Sequence, residues 1–262
     1  MLGRLSPARR RFVLGTAALV VVAAAATVVA VVATRPERTE PVGQGSPGPV
    51  LLVPGYGGST ASLDVLADAL RAAGRDATVV RLPGDGTGDL RDQAQVLDDA
   101  ARTALARTGG DSVDVIGYSA GGVVARLWVA DLGGASHARR VVTLASPNHG
   151  TELASLASGL GDTACPAACR QLATDSDLLT ALNAGDETPA GPLWVALWTE
   201  DDKTVVPPES GSLDGATAFA VQSVCPDLVV GHADVPRTAA VIAIVEAELG
   251  TGRPTVPDAS VC

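Results

Sequence analysis

From residue 49 onward the chain repeats one pattern. A short apolar run without polar alternation is followed by a stretch whose apolar positions fall three or four apart. Runs of the first kind predict strands at residues 49–53, 77–82, 113–116, 141–145, 193–198 and 216–221. Between them, Leu63, Leu66, Ala67 and Leu70 predict a helix that should stop at Gly74, and Leu90, Ala94, Leu97, Ala101 and Leu105 predict a second. A third is predicted over residues 120–132, and a closing one carries Val241, Ile244, Val245 and Leu249. Strands that are apolar on both faces, each followed by an amphipathic helix, imply a parallel sheet covered by helices on both sides. The rhythm breaks once. Residues 147–192 form a 46-residue connection rich in Gly and Pro, with an apolar run at Leu178, Leu179 and Leu182. That is far longer than ordinary connections and predicts either a small cap over the end of the sheet or a longer crossover. In a cap, the apolar run is expected to face an apolar substrate or, when displaced, a lipid surface.

The N-terminal part follows a different rule. Arg9, Arg10 and Arg11 precede residues 12–34, an uncharged stretch of 23 residues made mostly of Ala and Val. A signal-peptide core needs ~7–15 residues and a membrane span ~20, so this stretch is long enough to span. It reads as a retained anchor or as an export signal cleaved near Ala33, and the Arg run resembles a twin-arginine signal. Residues 35–48 are Pro, Gly and polar and read as a linker, which leaves residues 49–262 as the folded domain.

Charge sharpens the picture. Four Arg (4, 9, 10 and 11) and no acid lie in the first 34 residues, so 15 of the 19 basic residues face all 29 acids in the remainder, a net of −14. Such a body repels phosphate backbones, which excludes nucleic acid as a partner. Basic residues before the apolar stretch and an acidic domain after it place that domain outside the cytoplasm, secreted or held on the outer face of the membrane. There, an even number of Cys suggests disulfides. Cys165 and Cys169 are too close in sequence to pair readily with anything but each other, which leaves Cys225 for Cys262. The three His (137, 149 and 232) show no ligand spacing, so no metal site is predicted.

One motif carries chemistry on its own. Gly117-Tyr118-Ser119-Ala120-Gly121 fits G-x-S-x-G, directly after a predicted strand and at the start of a predicted helix. A sharp strand-to-helix turn there would expose the Ser119 hydroxyl near the positive end of the helix. With this setting, residues 50–250 resemble the lipase and esterase branch of the α/β-hydrolase family, in particular compact bacterial triacylglycerol lipases. Val53-Pro54-Gly55-Tyr56-Gly57-Gly58 resembles the family's oxyanion loop, with Pro54 where many relatives have His.

The resemblance implies an α/β-hydrolase fold: a mostly parallel central sheet, helices on both faces and a small cap. It implies Ser119 as nucleophile, with Tyr56 N–H and Ala120 N–H as oxyanion donors. After the strand at 193–198, Glu200-Asp201-Asp202-Lys203-Thr204-Val205-Val206-Pro207 resembles the acid loop. Spacing to Val205 and Pro207 favours Asp202, with Asp201 and Glu200 as alternatives. Gly231-His232-Ala233-Asp234 matches the place of the catalytic His. Ala145-Ser146-Pro147-Asn148-His149 also resembles a lipase segment, but the family order is Ser, acid, His, so His149 is expected to be structural. The implied activity is hydrolysis of acyl or lipid esters by a monomer without cofactor. An extracellular acyltransferase and a non-catalytic binding domain are the alternatives.

Overall fold

The computed structural model describes residues 42–262. The predicted export segment or anchor, residues 1–34, and the first part of the predicted linker lie outside the described residues. Among the described residues, no helix is long and apolar enough to cross a membrane.

Six strands form one sheet: β1 (Val50–Val53), β2 (Ala77–Val79), β3 (Val113–Tyr118), β4 (Ala138–Leu144), β5 (Leu193–Trp198) and β6 (Thr217–Ala220). Their order is β2-β1-β3-β4-β5-β6, and every neighbouring pair is parallel. The lack of alternation in the sequence now has its cause. Successive residues of one strand enter opposite cores: Val50 and Leu52 pack with Leu63, Leu66, Leu70 and Ile244, while Leu51 and Val53 pack with Leu90, Leu97 and Trp128. Because helices cover both faces, both sets must be apolar. The first core belongs to α1 (Ala61–Ala72) and the closing helix α8 (Ala239–Glu248); the second belongs to α2 (Leu90–Thr108) and α3 (Ala120–Asp131). Asp89 caps α2 by accepting from Arg91 N–H, and Gly109 ends it at φ 66°.

Residues 42–48, part of the predicted linker, run along the sheet's amino edge, where Gln44 exchanges hydrogen bonds with the Arg139 side chain and carbonyl. At that edge Asp114 accepts from Arg75 and Arg139, and Arg139 also donates to the carbonyls of Leu249 and Gly250 at 2.8 Å each.

The long connection at 147–192 holds α4 (Glu152–Ser158), α5 (Ala167–Gln171) and α6 (Asp177–Leu182). Arg126 of α3 anchors it from below, donating to the Asn148 carbonyl (3.1 Å) and to Asn183 Oδ1 (2.7 Å). Burial lowers the guanidinium pKa to about 10, but it stays charged at neutral pH. The apolar run is placed otherwise than expected: Leu178 and Leu179 turn inward and are buried in the α2–α3 core. Periodicity marks them as an apolar face without saying which neighbour that face meets. Disulfides join Cys165 to Cys169 within this connection and Cys225 to Cys262. The second ties the last residue to the segment after α7 (Val221–Val224).

Candidate active site

β3 ends at Tyr118 and α3 begins at Ala120, so the chain reverses within a single residue. Ser119 sits there at φ 52°, ψ −126°, a conformation that costs an L-residue on the order of 1–3 kcal/mol. The surroundings impose it. A Cβ on Gly117 would strike the backbone of Gly121 and Gly122, and one on Gly121 would strike the Val53 carbonyl, so only glycines let β1, β3 and α3 close this tightly. Ser119 N–H donates to Leu144 O at 2.8 Å, while its hydroxyl caps no N–H of the helix it opens. A serine chosen to start a helix would spend its hydroxyl there.

That hydroxyl instead faces His232, with Oγ 3.0 Å from Nε2. His232 opens a 3-10 turn, His232–Arg237, between β6 and α8. Its Nδ1 lies 2.7 Å from Oδ2 of Asp202, which is 2 % exposed and follows β5. The other Asp202 oxygen, Oδ1, accepts N–H bonds from Thr204 and Val205 at 2.8 Å each. With both its oxygens engaged, the carboxylate has one orientation.

Asp201 does a different job. Its Oδ2 accepts from Val230 N–H (3.1 Å) and from Gln222 Nε2 (3.0 Å). The same Gln222 nitrogen donates to Thr199 Oγ1 and to Leu228 O, and Gln222 Oε1 accepts from Glu200 N–H. Thr199 Oγ1 donates to Val230 O at 2.7 Å. Asp201, Gln222 and Thr199 thus fasten the loop before His232 to the loop that carries Asp202. The Glu200 side chain makes none of these bonds.

Two parts of the site were not read from sequence. Tyr118 donates its hydroxyl to His232 O at 3.1 Å, and its ring centroid lies 5.2 Å from the imidazole. Burial, reinforced by the negative charge of Asp202, pushes the Tyr118 hydroxyl up to about 12, so it remains a donor throughout the neutral range. Tyr118 occupies a free position of the serine motif, so the motif says nothing of it. Gln222 lies on the four-residue helix α7 and carried no sequence signal.

The loop after β1 passes against Ser119: a Cβ on Gly55 would lie 2.9 Å from Ser119 Cβ and 3.4 Å from Oγ. Gly57 N–H bonds to Gly86 O and Gly58 N–H to Gly55 O, which hold this loop in place. Neither Tyr56 N–H nor Ala120 N–H donates to an acceptor among the described residues. His149 is elsewhere, with Nε2 2.8 Å from Glu187 Oε1. Burial alone would raise the Glu187 carboxyl, but hydrogen bonds from Asp214 N–H and His149 outweigh it and hold it below the ordinary value. No cluster of three or more His, Cys, Asp or Glu suited to a metal occurs among the described residues. Beside Ser119 opens a cavity of about 240 Å³, with Tyr56 and Val205 at its sides and Leu153, Ala154, Cys169 and Leu172 of the long connection forming a wall.

This sheet order, with a serine turn after its third strand in sequence, is that of the α/β-hydrolase fold. Residues 48–162 match the family model described as the alpha/beta hydrolase fold. Among solved structures, Aspergillus fumigatus lipase B superposes with a TM-score of 0.67 at 18% identity, over 79% of this chain and 53% of that one. The chain therefore spans about half the length of that lipase. Mature Bacillus licheniformis lipase BlEst2 superposes at 0.64 and 19% identity, over 81% of this chain and 96% of that one. The product of the Listeria innocua gene lin2722 does so at 0.56 and 17%, over 82% and 97%. At such identities the likeness is one of fold. No curated protein matches the chain in sequence. The chain has the α/β-hydrolase fold and resembles lipases in that fold.

Proposed function

We propose that this hydrolase cleaves carboxylic esters through an acyl-enzyme, with Ser119, His232 and Asp202 as its catalytic triad. The observation that carries the reading is the unbroken chain Ser119 Oγ–His232 Nε2 (3.0 Å) and His232 Nδ1–Asp202 Oδ2 (2.7 Å), opening onto an apolar cavity. His232 Nε2 takes the hydroxyl proton as Ser119 Oγ attacks the ester carbonyl carbon. The carbonyl oxygen becomes an oxyanion stabilised by Tyr56 N–H and Ala120 N–H, each such donor being worth about 3 kcal/mol of barrier. His232 then gives the proton to the departing alcohol oxygen, leaving the acyl group on Ser119. Water, deprotonated by the same imidazole, reverses the sequence and releases the acid. Asp202 holds the Nδ1–H tautomer and stabilises the imidazolium. The lipase names of two structural neighbours favour esters as substrates. Two disulfides fit an oxidising compartment, in keeping with export.

A fluorophosphonate probe tests the reading. It is expected to label the folded chain at Ser119 alone, and Ser119→Ala to abolish labelling. A folded protein that does not label, or labels elsewhere, would overturn it.

The choice of acid is tested by a pair of variants. In Asp202→Asn, the amide oxygen would keep the bonds from Thr204 and Val205 N–H, which turns the NH2 toward His232 Nδ1–H. Donor then meets donor, the imidazole adopts the other tautomer, and Nε2 can no longer accept the serine proton. A loss of about 10⁴ in kcat is expected. In Asp201→Asn both existing bonds end on one oxygen, which the amide oxygen replaces, so the loss should stay within about tenfold. Comparable losses in the two variants would assign the acid wrongly.

A further inference from the structure

We propose that Gln222 is a positioning residue of the site: its amide fixes the polarity of the bonds that hold Val230, and through Val230 the imidazole of His232. This rests on the ester-hydrolase reading and assigns it a residue outside the triad. The amide can sit only one way. Glu200 N–H, at 3.0 Å, can only donate and must meet Oε1. The ionised Asp201 carboxylate (3.0 Å) and the Leu228 carbonyl (3.1 Å) can only accept and must meet Nε2.

That orientation decides a second group. Thr199 Oγ1 lies 3.0 Å from Gln222 Nε2 and 3.3 Å from Asp201 N, both donors, so it accepts from each. Its single proton then goes to Val230 O, which it reaches at 2.7 Å. Val230 is buried, and its N–H donates to Asp201 Oδ2 at 3.1 Å. Both backbone groups of Val230 are thus held by side chains that Gln222 orients, two residues before His232. Looseness there is costly, because misplacing a reacting group by about 1 Å can cost roughly 10²-fold in rate.

Replacing the amide by a carboxylate keeps its size and reverses its polarity. In Gln222→Glu the new oxygen would face Asp201 Oδ2 and compete with Val230 O for the Thr199 proton. Gln222→Met, of similar length and without a donor or strong acceptor, leaves that proton on Val230 O and leaves Asp201 to hold the Val230 N–H. A residue that only filled this half-buried position would give the opposite order, with the polar isostere the milder change. Acid should repair Gln222→Glu, since a protonated carboxyl donates again. The loops bonded to Gln222 carry Glu200, Asp201, Asp202 and Asp227 against Lys203 alone, so a carboxyl at this position holds its proton to a higher pH than a free one.

The experiment measures kcat and KM of the full chain on p-nitrophenyl butyrate between pH 6 and pH 8, per folded molecule as judged by circular dichroism. At pH 8, Gln222→Glu should lower kcat about 100-fold and Gln222→Met by less than about tenfold, with KM within about threefold of wild type in both. From pH 8 to pH 6 the ratio of Gln222→Glu to wild-type kcat should rise at least about threefold. Thr199→Val probes the same relay without touching position 222: a loss of about tenfold or more is expected, and Thr199→Ser, which keeps the hydroxyl, should recover most of it. If a Gln222 variant fails to fold, the Thr199 pair decides. Gln222→Glu as active as Gln222→Met, a ratio that does not change with pH, or wild-type kcat in Thr199→Val overturns the proposal. Any of these in a chain whose wild type takes the fluorophosphonate and cleaves the ester refutes the positioning role alone. A wild type that does neither refutes the hydrolase reading beneath it.

Discussion

Ser119→Ala is expected to lower ester turnover by about 10⁵-fold or more, His232→Ala by a similar factor, and the double variant by little beyond either. The reason is that in the proposed mechanism the Ser119 hydroxyl and the His232 imidazole, 3.0 Å apart, perform one step between them. Without the base, the hydroxyl is a weak nucleophile. Without the hydroxyl, the base has no proton to take. What survives is binding and the oxyanion donors, which still favour attack by water. Single-turnover and steady-state rates on one chromogenic ester, normalised to the concentration of folded protein, would measure all three variants. Losses that multiply would show two independent contributions and refute the triad. KM should change little, because the cavity wall remains in place.

The second large effect concerns stability. Asp114 lies at the amino edge of β3, fully buried, and its Oδ2 accepts from both Arg75 and Arg139. Arg139 is as inaccessible as the carboxylate, whereas the Arg75 side chain is 19% exposed. Asp114→Ala would leave the Arg139 guanidinium buried with carbonyl partners but no counter-charge. Breaking a buried pair in this way costs about 3–5 kcal/mol, out of a total of roughly 5–15 for a domain. Arg75→Gln should cost much less, since water reaches that partner. The midpoints of denaturant unfolding would decide, with specific activity per folded molecule serving as control because this cluster lies at the edge opposite Ser119. A loss below about 1 kcal/mol in Asp114→Ala would mean that the surrounding carbonyls alone balance Arg139.

How far these features were legible in the sequence depends on whether they are local. The parallel sheet was, because burial on both faces removes alternation from every strand at once. The serine turn was, because its motif lies within five consecutive residues between a predicted strand and a predicted helix, even though Gly121 is needed for the approach of β1. The juxtaposition of Ser119, Asp202 and His232 was anticipated from chain order and from the resemblance their flanking residues carry. Leu178 and Leu179 were misread because a helical apolar face looks the same whether it covers a cavity or a core. The Gln222 hub was invisible for a related reason. Its partners, Glu200, Asp201, Thr199 and Leu228, come from two separate loops, and nothing near position 222 requires an amide. The Asp114–Arg139 pair is hidden likewise: on paper it is one acid in an apolar strand and one Arg at the head of another.

The strained turn at Ser119 also bears on how this chain can diversify. At φ 52° even an unbranched side chain is strained, and the neighbouring residue 55 is a glycine whose added Cβ would lie 2.9 Å from Ser119 Cβ. Threonine would add a methyl on that same Cβ, and a branched residue at positive φ is a genuine outlier. The smallest chemical step from serine to another hydroxyl nucleophile is thus sterically closed, while cysteine, unbranched at Cβ, is open. A chain that keeps this turn can exchange oxygen for sulfur at the proposed nucleophile more readily than it can gain one carbon there.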